Sequence, residues 1–140
     1  MKDDKTLRLV IDTNLWVSMA MGSRVVSEQM LRIIENPDLE FFTSAELLDE
    51  LTETLAKPRL QKYLTYERTK QLFDLIWLKT QLIHVNINLR LCRDPKDNFI
   101  LNLATEAKAH CIITGDADLL VLNPVNEIPI LTIADFLQSV

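Results

Sequence analysis

Apolar residues along this chain occur in short runs that alternate with longer stretches of helical spacing. The first short run, Leu7–Ile11, is interrupted only by Arg8 and predicts a buried strand. Four further runs of the same character lie at residues 39–42, 83–85, 111–114 and 130–131. Because helical stretches separate these runs, the pattern indicates a layered fold with its strands in the middle.

Boundary residues and apolar spacing predict helices between these strands. Thr43 and Glu46 have the spacing of a capping box, which predicts a helix that ends before Pro58. Asp94 and Pro95 stand in the order typical of a helix start. The predicted helices cover residues 23–35, 43–57, 66–81 and 94–108, and two short helices follow, capped by Asp118 and by Thr132.

The order of these elements favours a three-layer α/β/α sandwich with a mostly parallel sheet, formed as one domain over residues 1–140. In such sheets, ligands bind beyond the carboxyl ends of the strands. The helix predicted at residues 66–81 carries Leu72, Phe73, Ile76 and Trp77 at helical spacing. We therefore expect Trp77 to lie in the core with its apolar neighbours.

Composition excludes several classes of protein. No run approaches the roughly 20 apolar residues that cross a bilayer, and the start of the chain lacks the features of a signal peptide, so we expect a cytoplasmic protein without a membrane partner. Cys92 and Cys111 lack the close spacing of zinc ligands, which favours free thiols. The net charge of −5 argues against a simple basic-patch nucleic-acid binder. It does not argue against a nuclease whose bound cation attracts phosphate.

Four acidic residues follow the predicted elements in a way that brings them to one edge of the sheet. Asp12 comes directly after the first strand, and Asp116 follows the strand at residues 111–114 after a single glycine. Glu50 lies in the second turn of its helix, and Asp97 lies in the first turn of another. Each acid alone could serve as a turn, cap or surface residue. Together they predict a carboxylate cluster at the carboxyl edge of the sheet.

A carboxylate cluster of this kind points to a metal site. Packed carboxylates repel one another, and a divalent cation removes that penalty. Oxygen ligands suit Mg²⁺ or Mn²⁺, which can activate water for hydrolysis of a phosphodiester without a covalent intermediate. Asn14 is a candidate to orient Asp12 or a metal-bound water, and Thr114 is a candidate to orient Asp116 through a hydrogen bond. Asp118 is an additional ligand or only a cap, and we expect Asp94 to be a cap.

Four segments of the chain, in this order, resemble the motifs of the PIN-domain family. The first and fourth hold Asp12 and Asp116, the second holds Glu50, and the third holds Asp97. The segments are residues 8–14, 43–51, 92–101 and 112–120. The Arg-Asp-Pro segment at residues 93–95 and the ending at residues 129–132 are most similar to a bacterial subgroup, the VapC-like ribonucleases of toxin–antitoxin systems.

This resemblance implies a Mg²⁺- or Mn²⁺-dependent endoribonuclease with RNA as its substrate. It implies Asp12, Glu50, Asp97 and Asp116 as catalytic metal ligands, although Glu46, one helical turn before Glu50, is a rival for the helix position. It further implies a homodimer that a small antitoxin protein neutralises, and hence the toxin of a type II pair.

Other functions are weighed against this one. A phosphatase of the haloacid-dehalogenase type needs a second Asp two residues after its nucleophile, where this chain has Asn14. A receiver domain needs an acidic pair near the first strand and a lysine after a late strand, and neither is apparent. The alternative from a different class is a catalytically inactive PIN-like module that binds RNA or protein. The intact set of four acids argues against that alternative.

Overall fold

The computed structural model describes residues 6–88, 90 and 97–139. Within these residues it contains a five-stranded sheet in which every pair of neighbouring strands is parallel, with the strand order β3-β2-β1-β4-β5. The strands are β1 (Leu7–Ile11), β2 (Leu39–Thr43), β3 (Thr80–Leu82), β4 (Cys111–Ile113) and β5 (Ile130–Leu131). The first strand of the chain therefore lies at the centre of the sheet, where both of its edges are paired.

Helices flank the sheet and complete the expected three-layer α/β/α architecture. They are α1 (Thr13–Ala20), α2 (Arg24–Ile34), α3 (Ala45–Leu55), α4 (Tyr66–Lys79), α5 (Asn98–Glu106), α6 (Ala117–Leu120) and α7 (Ile133–Ser139), with a 3-10 turn at Pro58–Leu60. In the described part of the chain, no helix combines the length and the apolarity needed to cross a membrane.

The central strands are buried on both faces, which explains their nearly continuous apolar sequences. Leu9 and Val10 of β1 and Ile112 and Ile113 of β4 are fully buried. Helices cover both faces, so these positions cannot alternate between apolar and polar residues as they would in a half-exposed sheet. Cys111 is a buried free thiol, as expected, and burial raises its pKa to about 11. Cys92 lies outside the described residues.

The register of the central strands aligns their carboxyl ends. Ile11 of β1 pairs with Ile113 of β4, and the backbone N–H of Asp12 donates to the carbonyl of Ile113 over 2.9 Å. The residues that follow these two strands are therefore neighbours, although they are about one hundred positions apart in the sequence. This alignment fixes where the candidate site is built.

The structure corrects the prediction for the third strand. A strand was expected at residues 83–85, but β3 is Thr80–Leu82 and follows α4 without a loop. The helix stops early because Thr80 adopts an extended conformation, and its hydroxyl donates to the carbonyl of Ile76 over 2.7 Å. Helix α1 had no counterpart among the sequence predictions. Its side chains are mostly buried, so it lacks the polar face by which an amphipathic helix is recognised.

Three of the four predicted caps lie in the described residues, and two of these three are wrong by one or two residues. The cap of α3 is Ser44, whose hydroxyl accepts from Leu47 N–H, whereas Thr43 is the last residue of β2. The cap of α6 is Asp116 and not Asp118. The hydroxyl of Thr132 accepts from the N–H of Asp135, as predicted. The helix expected from residue 94 is described from Asn98, and residues 94–96 lie outside the described part.

The expectation that Trp77 belongs to the core is wrong, because its side chain is 86% exposed. Helix α4 contacts the core through Leu72 and Ile76, which are buried, and Phe73 is half-buried. One further residue turns the side chain by roughly 100° around the helix axis. Trp77 therefore lies at the edge of an apolar groove between α4, α3 and β3, and Leu82 also lines this groove.

The neighbouring residues Ile76 and Trp77 allow a paired test of this packing. Replacement of buried Ile76 by Ala should lower the free energy of unfolding by about 2–5 kcal/mol, because it leaves a cavity in the core. Replacement of exposed Trp77 by Ala should change it by less than about 1 kcal/mol. Urea unfolding followed by circular dichroism measures both, and equal losses in the two variants would contradict the observed exposure.

Candidate active site at the carboxyl edge of the sheet

Asp12 is the buried centre of the candidate site. It directly follows β1, where an extended conformation carries the chain from the strand into α1. Its side chain is only 5% exposed. As its N–H bonds to β4, the position of its carboxylate is set by the pairing of the two central strands. A carboxylate held at this depth needs either a proton or a compensating positive charge.

Thr114 holds the carboxylate of Asp12 in place. Its hydroxyl donates to Oδ2 of Asp12 over 2.7 Å and accepts from the backbone N–H of Asp116 over 3.0 Å. Thr114 is completely buried at the end of β4. The sequence pattern predicted that Thr114 orients Asp116. In the structure the hydroxyl bonds to the carboxylate of Asp12, and it reaches Asp116 only through the backbone.

Asp116 is half-buried at the start of α6. One of its carboxylate oxygens accepts from the backbone N–H of Asp118 over 2.9 Å, and this bond fixes the side chain at the helix start. Asp118 is half-buried in the first turn of the same helix. The short connection from β4 through Gly115 brings Asp116 to the same edge of the sheet as Asp12.

Glu50 is the helix acid that approaches this pair. It is half-buried in α3 and accepts from the hydroxyl of Thr54 over 3.1 Å. Glu46, its rival one turn earlier, is exposed and lies beside a different cavity, next to Val85 and Phe99. The negative charge of Glu50 also acts on Asp12, as described next. These observations favour Glu50 over Glu46 as the helix member of the site.

The pKa of Asp12 is raised above its ordinary value of 3.8. Burial is the largest cause, because a low-dielectric surrounding disfavours the charged form. The hydrogen bonds from Thr114 and from the backbone of Thr13 oppose this rise, whereas the negative charges of Asp116 and Glu50 add to it. Three of the four predicted acids are thus close enough to interact electrostatically.

The other predicted residues within the described part are Asp97, directly before α5, and Asn14, in α1. Asp97 is half-buried immediately before α5, and α5 packs against β1 and α3, which lead to Asp12 and carry Glu50. Asn14 is exposed in the first turn of α1. Asp94 lies outside the described residues.

Thr13 is a neighbour of the site that the sequence reasoning did not assign. It is buried beside Asp12, and its hydroxyl has no hydrogen-bond partner among the described residues. Its position directly after Asp12, at the strand exit, was the signal that could have identified it. A buried hydroxyl without a partner is a hydrogen-bonding group that remains available next to the carboxylate of Asp12.

These carboxylates suit a divalent cation whose remaining coordination positions are filled by other ligands. Among residues 6–88, 90 and 97–139, no three acidic, histidine or cysteine side chains lie close enough to form a metal site by themselves. Mg²⁺ does not require such a cage, because it usually keeps several waters and binds one or two carboxylates together with substrate phosphates. Asp12 and Asp116, with Glu50 nearby, fit that mode of binding.

Comparison with known proteins identifies the family. The chain matches the PIN domain family over residues 8–118, which include all four predicted acids. It is also 34% identical over 122 residues to the uncharacterized protein MJ1680 of Methanocaldococcus jannaschii, and the match covers 86% of this chain and 78% of the relative. The chain therefore belongs to the PIN domain family, whose fold is of the nuclease type. The bacterial toxin subgroup stays a prediction.

The buried charge of Asp12 predicts a stabilising variant. Replacement of Asp12 by Asn keeps an oxygen that accepts from Thr114 and removes the charge. In the metal-free protein at neutral pH, it should raise the free energy of unfolding by about 1–3 kcal/mol, since the penalty for a buried ion amounts to several kcal/mol and the hydrogen bonds offset part of it. Thermal unfolding in EDTA measures the change, and the exposed Asp49→Asn is the matched control.

The same shift predicts how stability depends on pH. Because folding raises the pKa of Asp12, the folded chain holds a proton more readily than the unfolded chain between the ordinary value of 3.8 and the raised value. The stability of the metal-free protein should therefore fall as pH rises through this window and stay reduced above it. Asp12→Asn should flatten this dependence, and an unchanged profile in that variant would contradict the assignment.

Proposed function

We propose that this PIN-domain protein is an endoribonuclease that hydrolyses RNA phosphodiesters with Mg²⁺ or Mn²⁺. The observation that carries the proposal is the buried Asp12, whose raised pKa reflects both burial and the nearby negative charges of Asp116 and Glu50. A carboxylate cluster of this kind costs stability unless it serves to bind a cation. The acids also stand at the sheet edge where ligands bind in folds of this class.

The four acids would hold the cation, with Asp12 at the centre and Asp116, Glu50 and Asp97 around it. When bound, the cation supplies Lewis-acid polarisation of the phosphate and a water of lowered pKa. Thr114 supports this role because its hydroxyl holds one oxygen of Asp12 in place. Thr54 orients Glu50 in the same manner.

Residues around the acids take supporting roles in this proposal. Asn14 is exposed at the start of α1, where its amide can hydrogen-bond to a phosphate or to a water near Asp12. Asp118 positions Asp116 through its backbone N–H and is a further candidate ligand. Asp94 is proposed as a helix cap. No covalent intermediate is needed, because water attacks the phosphorus directly.

Cleavage of a labelled mixed-sequence RNA tests the proposal. The wild-type protein should cleave in Mg²⁺ or Mn²⁺ and not in EDTA. Asp12→Asn and Glu50→Gln should each reduce the cleavage rate by at least about 100-fold. Each substitution weakens the binding of a cation that stabilises the transition state by several kcal/mol. Glu46→Gln is the matched control on the same helix and should retain activity within a few-fold.

One result would overturn the proposal, and another would reassign its helix ligand. If no metal supports cleavage and calorimetry detects no Mn²⁺ binding, the alternative of an inactive PIN-like binding module is favoured. If Glu46→Gln is inactive and Glu50→Gln is active, the nuclease stands but the helix ligand is the other glutamate.

The role in the cell is a further proposal that rests on the resemblance. We propose a cytoplasmic toxin of a type II toxin–antitoxin pair, forming a homodimer and neutralised by a small antitoxin protein. Trp77, Leu78 and Leu82 are exposed apolar side chains that such an association could cover. Induced expression in a bacterial host should stop growth with the wild-type chain and not with Asp12→Asn. Equal growth of both strains would contradict the toxin role.

A further inference from the structure

Positive charge is concentrated in one short segment of this acidic protein. The whole chain carries a net charge of −5, yet residues 57–68 contain four cationic residues and one acid. The cationic residues are Lys57, Arg59, Lys62 and Arg68, and all four are exposed. Lys70, two residues beyond, is paired with Asp74 over 2.7 Å. In the described part of the chain, Lys57, Arg59 and Lys62 form no ion pair, so their charges are open to a ligand.

Local contacts hold this segment in a defined shape between α3 and α4. Pro58 opens the 3-10 turn directly after α3, and the side-chain amide of Gln61 donates to the carbonyl of Leu55 over 2.7 Å. Leu60 and Leu64 pack against the core. The guanidinium of Arg68 donates to the carbonyl of Tyr63 over 3.0 Å. The cations are therefore presented from an ordered corner and not from a loose loop.

Two exposed aromatic rings, Tyr63 and Tyr66, lie in the same segment as these cations. The ammonium of Lys62 sits 5.2 Å from the centre of the Tyr63 ring and occupies one of its faces. Tyr66 is 79% exposed. It borders a cleft of about 400 Å³ whose other walls include Leu64, Thr69 and Phe73. Cationic side chains beside an exposed ring and a cleft are typical of surfaces that bind single-stranded nucleic acid, because every base can stack on an aromatic face.

This corner lies within reach of the candidate active site. Glu50 and Lys57 are seven residues apart along α3 and its end. At a rise of 1.5 Å per residue, their backbones are about 10 Å apart along the helix direction. A strand of RNA whose scissile phosphate is at Glu50 and Asp12 can span that distance within a few nucleotides. The acidic edge attracts a phosphate only through the cation of the proposed function, so cationic side chains close by would add to the binding of the rest of the strand.

We propose that Lys57, Arg59, Lys62 and Tyr66 form a surface, the cationic corner, that binds single-stranded RNA next to the scissile phosphate. This inference rests on the proposed nuclease function and adds a substrate-holding site that is separate from the acids. The lysines and the arginine contact the phosphates, and Tyr66 stacks on a base in the neighbouring cleft. The charge of the corner is complementary to RNA, and the exposed ring favours RNA over an acidic protein.

Fluorescence anisotropy of a labelled single-stranded RNA tests the corner at several salt concentrations. All proteins carry Asp12→Asn, so that RNA stays intact in Mg²⁺. The corner variant is Lys57→Gln with Arg59→Gln and Lys62→Gln. The control variant removes three exposed cations elsewhere, through Arg32→Gln, Lys79→Gln and Lys108→Gln, and gives the same net charge. Circular dichroism and thermal unfolding verify that both variants fold.

The corner variant should bind at least about tenfold more weakly, because three phosphate contacts are lost. The slope of log Kd against log salt should fall by about 2, since each contact with a single strand contributes about 0.7. The control variant should change the affinity by less than a few-fold. Tyr66→Ala should weaken binding by at least about fivefold while leaving the salt slope unchanged, as expected for stacking.

Several outcomes would overturn the proposal. If the Asp12→Asn protein does not bind the RNA, or if the corner and control variants weaken binding equally, the corner is not an RNA surface. If the corner variant binds as tightly as its parent, an acidic protein partner becomes the better occupant. Cleavage by the otherwise wild-type chain reports separately on the nuclease. Corner-dependent binding without any cleavage would overturn the nuclease and retain the RNA surface.

Discussion

The pairing of β1 with β4 is the constraint on which the candidate site depends. It places Ile11 beside Ile113 and joins the N–H of Asp12 to the carbonyl of Ile113. Thr114 directly follows β4 and therefore lies where its hydroxyl can donate to the carboxylate of Asp12. A register shift of one residue would reverse which side chains face each layer and would separate these two groups. The buried isoleucines of the strands therefore fix the chemistry at their ends.

The buried carboxylate of the candidate site lowers the stability of the protein alone. Asp12 is buried almost completely, and hydrogen bonds from Thr114 and from the backbone of Thr13 favour its charged form. Asp116 and Glu50 add negative charge where a folded protein would ordinarily avoid it. In the proposed nuclease, a divalent cation and a substrate phosphate that enter the site together would offset this cost.

Charge is divided along α3 in a way that suits a polyanionic substrate. The helix carries Glu50 in its middle, and the cationic residues from Lys57 onward follow its end. An acidic site can hold a cation, but by itself it repels RNA. The proposed cationic corner would compensate for this at a distance set by the rise of the helix. The net charge of the chain alone conceals this division, because the excess of acids elsewhere outweighs the cations of the corner.

The sequence by itself determined the parallel α/β fold, four of its five strands and the family, because buried strands and amphipathic helices have distinct apolar periods. It also predicted the acids of the site, because the residue that follows a strand can be recognised from the local sequence. The sequence could not decide whether Glu46 or Glu50 belongs to the site, and it wrongly predicted that Trp77 is buried. Both questions depend on which face of a helix is covered by another element. The tertiary structure alone showed that Thr114 bonds to Asp12 and that β3 begins at Thr80. Those contacts join residues that are distant along the chain, and no local pattern encodes the geometry between them.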